Sequence, residues 1–448
     1  MALAGARAER FTYSGYELDE DRALLECRYQ VDDEPFTEVV HLAPGGRGGP
    51  SAEAAARLYF LLAGVSYYKT AAPSLVDLGD HPSTADERRF LATFYREGLA
   101  EFAYRNRLDL GGLEVVGPDR DRPPTVPAPG GPGRPLVPFG GGIDSIVTAE
   151  AVARRFPEAA LFVVGPAGDR FEALEAPAAA TGLPVLRAER ELDEKVLHPA
   201  ELGYLNGHVP VTGILSALAV LSAVRHGRDA VVMANEWSAS SGNLDTGGHV
   251  VNHQWSKGEA FESAWRELLA ATFAPGPAYF SYLRSWSELA VARRFAGLPR
   301  YHRLFRSCNR AFALDRRRRL DAWCGRCDKC CFIDLVLAPF LSADELAAVF
   351  DETEPLAEPD LAGQFRVLLG LGEGTKPFEC VGDVDECRAA LALTALRPDR
   401  AADGLVASLA RELSTRGLLP AASAAERLFR PLGRDAVPDD YAADDLLV

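Results

Sequence analysis

The segment Leu136–Ser145, LVPFGGGIDS, limits what this chain can become more than any other. An apolar run leads straight into three glycines, and from Asp144 to Phe156 the apolar residues recur at helical spacing. A strand that turns into a helix through Gly140, Gly141 and Gly142 is a unit of α/β folds. Glycine tolerates positive φ and lets backbone N–H groups approach an anion with no Cβ in the way. The following helix adds donors and the positive end of its dipole. Ser145 is placed to donate to a phosphate oxygen. Asp144 repels a bare phosphate and suits such a site only with a Mg²⁺ between them. The competing reading is a tight turn with Asp144 as the helix cap. There is no GxxxxGK[ST], and the spacing is not GxGxxG, so neither of those phosphate loops applies.

Around this segment, strands and helices alternate. Strands are expected at Leu136–Phe139, Leu161–Val164, Pro184–Leu186 and Ala230–Ala234, and helices at Phe171–Thr181, Val211–His226, Glu259–Phe273 and Ser287–Phe295. That alternation implies a parallel sheet with right-handed crossovers. Upstream, residues 11–41 alternate and are rich in Tyr, Phe and Val, the pattern of an antiparallel meander. Helices follow at Ala52–Ala63 and Asp86–Arg105. The Pro- and Gly-dense stretch 117–135 reads as a linker and domain boundary. The chain therefore divides into an N-terminal α+β domain (1–116), the linker (117–135), a nucleotide-binding domain with the cysteine cluster (136–341), and a helical C-terminal region with a frayed acidic tail (342–448).

Composition narrows the function. The 448 residues carry a net charge of −16, which argues against nonspecific binding to a phosphate backbone. One basic island, Arg300, Arg303, Arg306, Arg310 and Arg316–Arg319, is either a solvated face or a docking surface for an anionic substrate. No apolar run reaches the roughly 18–20 residues of a membrane helix, and the N-terminus has no signal-like apolar region, so a cytoplasmic protein is expected.

Of eight cysteines, five fall within Cys308–Cys331. Cys308, Cys324, Cys327 and Cys330 form C-x15-C-x2-C-x2-C, enough thiolates for a tetrahedral structural zinc. An iron–sulfur cluster and a metal-free thiol cluster are the alternatives, and Cys331 could replace one ligand. Cys27, Cys380 and Cys387 read as small buried hydrophobes.

Three segments are unusually polar: 64–70 (GVSYYKT), 234–243 (ANEWSASSGN) and 251–257 (VNHQWSK). Loops after parallel strands form the ligand crevice of open α/β sheets, which places the second beside the glycines. Surface loops and caps are the plain alternative. Lys69, Glu236, His253 and Lys257 are the candidate proton carriers, and Tyr67, Asn235, Ser240, Asn243 and Asn252 the candidate substrate contacts.

The glycine loop resembles the S-G-G-x-D-S signature of the ATP pyrophosphatases, with Gly140 in place of the first serine. The cysteine pattern resembles the zinc site of the queuosine-pathway cyano-deazaguanine synthase, of the same superfamily. Together with YSGYELD, GVSYYKTAAP, GLAEFAYRN, NEWSASSGN, NHQWSK and SCNR…WCGRCDKCCF, the chain resembles the UDP-N-acetyl-alpha-D-muramoyl-L-alanyl-L-glutamate epimerase family over most of its length. The resemblance implies a Rossmann-like parallel sheet of the adenine nucleotide alpha-hydrolase (PP-loop) type. It also implies ATP and Mg²⁺, with Gly140, Gly141, Gly142, Asp144 and Ser145 holding pyrophosphate, and a UDP-linked muramoyl dipeptide as substrate. Two other readings remain: an amide-forming or tRNA-thiolating ATP pyrophosphatase, and a non-enzymatic zinc-stabilised nucleotide-binding module.

Overall fold

The computed structural model describes residues 8–122, 125–245, 250–308, 310–312, 317, 319–372, 376–400 and 403–442. The N-terminal third begins with the expected meander, β1 (Arg10–Asp19), β2 (Leu24–Val31) and β3 (Glu34–His41), paired antiparallel. Its alternate residues Phe11, Tyr13, Leu25, Cys27, Tyr29 and Phe36 are buried. They pack against α1 (Pro50–Ala63) and α2 (Val65–Tyr68). β4 (Leu75–Asp77) and β5 (Glu114–Val116) extend the sheet in parallel beyond β1. The single helix expected over Asp86–Arg105 is two, α3 (Ala85–Gly98) and α4 (Ala100–Asn106), separated at Leu99. A Cβ on Gly98 would lie 2.6 Å from the Pro210 ring, so the break comes where the chain passes another segment closely.

The central portion runs β6 (Leu136–Pro138), α5 (Ile143–Arg155), β7 (Ala160–Pro166), α6 (Glu172–Thr181), β8 (Val185–Glu191), α7 (Glu194–Leu197), α8 (Pro199–Leu202), α9 (Val211–Arg225) and β9 (Ala230–Met233). A two-residue ribbon of β10 (Leu244–Asp245) and β11 (Val250–Val251) follows, then α10 (Glu259–Thr272), β12 (Ala278–Ser281), α11 (Glu288–Ala296) and α12 (Asp328–Leu337). Strand β12 was not apparent in the sequence, because AYFS is short and lacks turn residues on its C-terminal side. Five strands lie parallel in the order β12-β9-β6-β7-β8. The first strand of this unit lies between the second and the fourth, which is the Rossmann-type order with its switch point at β6. β6 meets β9 only at Leu136↔Val231, so pairing there stops before the glycines.

Successive residues of these strands point to opposite faces. Val137, Leu161, Val163, Val232 and Phe280 enter one core with α5, α11 and α12. Leu136, Ala160, Phe162, Val231 and Tyr279 enter the other, with α9, α10 and the N-terminal helices. Near-continuous apolar strands are what a sheet buried on both faces requires.

Among its described residues the stretch 117–135 has no strand or helix, as its composition demands, yet it does not separate two sheets. β3 pairs antiparallel with β8 through Val39↔Glu191, Val40↔Arg190 and His41↔Glu189, giving one ten-stranded sheet. Arg190 meets the fully buried Glu38 at 2.8 Å across that seam. The linker itself is tied down, with the Val126 N–H on the Thr272 carbonyl at 2.9 Å and the Gly133 and Arg134 N–H groups on Asp229. Beyond Ser342 the chain is helical, with α13 (Ala343–Val349), α14 (Ala362–Leu368), α15 (Val384–Ala395) and α16 (Gly404–Thr415). The tail, expected to fray, is docked as far as Tyr441, whose ring lies 4.3 Å from Phe156 and 4.9 Å from Phe280; residues 443–448 fall outside the described residues. Among the described residues no helix is long and apolar enough to cross a membrane.

Candidate active site

At the switch point the glycines do what their lack of a side chain allows. Gly141 has φ +74°, and a Cβ there would lie 2.8 Å from the Ala173 carbonyl. Gly140 faces open space. α5 starts at Gly142 with no side-chain cap, so its first-turn amides are left for water or a ligand. The Ser145 hydroxyl, expected on a phosphate, donates to the Gly142 carbonyl at 3.0 Å and closes the turn. The loop borders a cavity of about 430 Å³ that Asn235, Lys257, Arg306, Lys329 and Cys380 also line.

Behind the loop, carboxylate oxygens of Asp144, Glu236 and Glu288 lie within 4.8 Å of one another. Asp144 Oδ1 and Glu288 Oε2 are buried without a hydrogen-bond partner. Burial and then the charge of Glu236 push the Asp144 carboxyl up to about 7. Glu288 is raised well above the carboxylate range by burial and by Asp144. Glu386, which accepts the Glu288 N–H at 2.9 Å, is pushed up by burial to about 8. Such crowding is relieved by a shared cation, and orphaned oxygens converging on one point fit a Mg²⁺. Glu288 and Glu386 escaped the sequence reading because each lies in the first turn of a helix, where an acid is ordinary.

On the other wall, Lys257 Nζ lies 3.3 Å from Cys380 Sγ. Burial pushes the Lys257 ammonium down, but the charges of Cys380, Glu236 and Asp144 more than reverse it. Lys329 donates to the Cys380 carbonyl. The His253 ring bonds the Glu101 carboxylate and lies beside Cys380, and Arg105 holds Glu101 at 2.5 Å. Burial lowers His253, and these two partners raise it to about 9. His208 lies 4.1 Å from the His253 ring and is pushed down to about 3 by burial and by that neighbour's charge. Burial raises the Cys380 thiol, yet Lys257 and His253 bring it down to about 6. Cys380 is thus a polar cavity residue and not the small hydrophobe expected. Cys27 and Cys387 are fully buried, with thiols pushed up by burial.

The remaining candidates divide. Asn235 lines the cavity, and the Ser281 hydroxyl accepts its backbone N–H and donates to its carbonyl. Asn243 donates to the Pro377 carbonyl at 2.7 Å and accepts the His253 N–H at 2.8 Å, while Asn252 donates to the Ala239 carbonyl. Asn243 thus joins the polar loops to the segment carrying Cys380, and Asn252 joins the two loops to each other. Ser240 accepts the first N–H of α10. Lys69 donates to Asn206 and Gly207, away from the cavity lining. Tyr67, expected at the substrate, is fully buried, stacked on Tyr29 at 4.9 Å and bonded to Glu38. The sequence reading also missed Arg284, which pairs with Glu262 at 2.8 Å and bonds the carbonyls of Glu236 and Lys257. This fully buried guanidinium clamps both polar loops. From the basic island, Arg306 reaches the cavity, whereas Arg300 pairs with Glu150; Arg316 and Arg318 lie outside the described residues.

The thiols of Cys308, Cys324, Cys327 and Cys330 lie within 4.8 Å of one another, with sulfur–sulfur contacts of 3.4, 3.6 and 3.9 Å. A tetrahedron with Zn–S bonds of about 2.3 Å has edges of about 3.8 Å, so the set fits zinc. Gly325 turns the knuckle with φ +66°. Cys331 points into the core and is not in the set. The cluster fixes Lys329 in the first turn of α12 and Arg306 just before Cys308, both of which line the cavity.

A parallel sheet with its switch point at a glycine loop, beside a crowd of buried acids and bases, defines a Rossmann-like α/β protein with a catalytic type of site. The chain matches the MurL N-terminal domain over residues 3–282 and the MurL C-terminal domain over residues 304–424. It therefore belongs to the UDP-N-acetyl-alpha-D-muramoyl-L-alanyl-L-glutamate epimerase family. Proteins of that name are 38% identical in Xanthomonas oryzae (90% of this chain, 89% of the relative) and 39% identical in Salinispora tropica (97% and 95%). A third, from a Micromonospora species, is 37% identical over 97% of both chains. No solved structure matches.

Proposed function

We propose that the protein inverts the terminal L-Glu of UDP-MurNAc-L-Ala-L-Glu to D-Glu during peptidoglycan precursor synthesis, using ATP and releasing AMP and diphosphate. The observation that carries this is the glycine loop opening beside the Asp144–Glu236–Glu288 cluster in a chain whose relatives bear the epimerase name. An α-proton next to a carboxylate is barely acidic, because its removal puts a second negative charge on one small unit. Joining that carboxylate to AMP gives a mixed anhydride, whose α-carbon releases its proton far more readily. The chain's own groups then divide the work. The amides after Gly142 receive phosphate oxygens. Asp144, Glu236 and Glu288 would hold Mg²⁺, which neutralises phosphate charge when bound. Lys257 lines the cavity and can move a proton at the α-carbon. Arg284 keeps both polar loops in place.

The test is turnover with the muramoyl dipeptide, ATP and Mg²⁺ in D₂O. AMP and diphosphate should appear, deuterium should enter the α-position only with ATP present, and one substrate carboxylate oxygen should be found in AMP. Exchange without ATP, or AMP free of that oxygen, overturns the adenylate route.

A further inference from the structure

Cys380 does not behave like a thiol left over from core packing. Its sulfur faces the cavity of the glycine loop, 3.3 Å from the Lys257 ammonium and beside the His253 ring. His253 is turned in its place by the Glu101 carboxylate, and Glu101 by Arg105. A nucleophile, a base within reach of it and a third group orienting the base make up the arrangement by which proteins activate cysteine for acyl transfer. Lys329 holds the Cys380 carbonyl, so the backbone that presents the sulfur is also anchored. The charges that act most on the sulfur are those of Lys257, His253 and Lys329, all cationic, and the Asp144 carboxyl also faces it.

We propose that Cys380 takes the activated glutamyl group from the adenylate as a thioester, with His253 and Glu101 as its triad partners, and that the α-carbon is inverted on the enzyme. This rests on the adenylating function proposed above. The sulfur bonds to the α-carboxyl carbon of the terminal Glu. The bond from that carbon to the adenylate oxygen breaks, and AMP leaves with the electron pair. No proton moves in this step, because the thiol proton already resides on the His253 imidazolium. A thioester acidifies its α-proton, which is removed and returned on the opposite face. Water then adds to the carbonyl, the sulfur departs as thiolate, and two protons pass to solvent. A thiol held as thiolate by neighbouring cations is a poor base toward a carbon acid. Its nucleophilicity falls with only about 0.4–0.5 of the change in its acidity, so the setting favours bond formation over proton abstraction. Tethering also keeps the activated acyl group in the protein while AMP departs.

The experiment quenches wild-type turnover mixtures in acid and maps adducts by mass spectrometry, alongside Cys380→Ala and Cys380→Ser. An ATP-dependent adduct of substrate minus water should sit on the peptide bearing Cys380 and be released by neutral hydroxylamine. Cys380→Ala should form no adduct and should lose epimerisation on the order of a thousandfold or more. With unchanged melting, it should still exchange labelled diphosphate into ATP when substrate is present. Wild-type epimerisation by Cys380→Ala overturns the proposal. So does a wild-type enzyme that exchanges diphosphate and turns over with no thioester on Cys380. Absence of diphosphate exchange in the wild type would instead remove the adenylating function itself.

Discussion

Asp144→Asn tests the carboxylate cluster most directly, because it removes a charge and keeps the shape. The Asp144 carboxyl is pushed from 3.8 up to about 7, by burial first and by Glu236 second. The folded chain holds this proton more tightly than the unfolded one, so ionising it costs stability. The cost is absent below about pH 3.8, grows as the pH rises, and is complete above about pH 7. Roughly three units at about 1.36 kcal/mol each give a ceiling of about 4 kcal/mol. In metal-free buffer the Asn variant should therefore be the more stable protein, by up to about 4 kcal/mol at pH 8 and by about half of that or less at pH 5. Urea unfolding at the two pH values measures both. Mg²⁺ should stabilise the wild type and leave the variant unmoved, and AMP formation should disappear in the variant. A variant less stable than wild type at pH 8 without metal refutes the picture of mutually repelling buried acids. Near-normal turnover refutes the placement of Mg²⁺ and pyrophosphate at this loop.

Purified protein should carry about one zinc per chain, and Cys324→Ser should lose it together with thermal stability; metal-free protein with unchanged melting overturns the four-thiolate site, and visible charge-transfer bands would indicate iron–sulfur instead. Arg284→Ala strands the buried Glu262 carboxylate and should cost about 3–5 kcal/mol in urea unfolding, with a fall in kcat as the two polar loops loosen. A loss under about 1 kcal/mol, the range of an exposed ion pair, would show that Arg284 is not a clamp.

What the sequence determined by itself is local in origin. The strand–GGG–helix unit was legible because positive φ at Gly141 and the close approach to Ala173 are demands on a few consecutive residues. The cysteine site was legible because Cys324, Cys327 and Cys330 share one knuckle and one helical turn, leaving only Cys308 to be brought from a distance. The meander and the alternating strands and helices followed from periodicity, which records which face each residue shows to a core. What only the tertiary structure decided depends on approach between distant segments. The pairing of β3 with β8 joined the N-terminal strands to the parallel sheet, and no residue on either side of 117–135 announces that seam. Glu288 and Glu386 look like ordinary acids at helix starts until three helices converge on Asp144. Cys380 reads as a small hydrophobe in sequence, and becomes a cavity thiol of lowered pKa only because folding brings Lys257 and His253 to it, 123 and 127 positions away along the chain. Charge and solvation are set by such neighbours in space, so the chemistry of this site was fixed by packing, whereas the loop at its centre was written in ten consecutive residues.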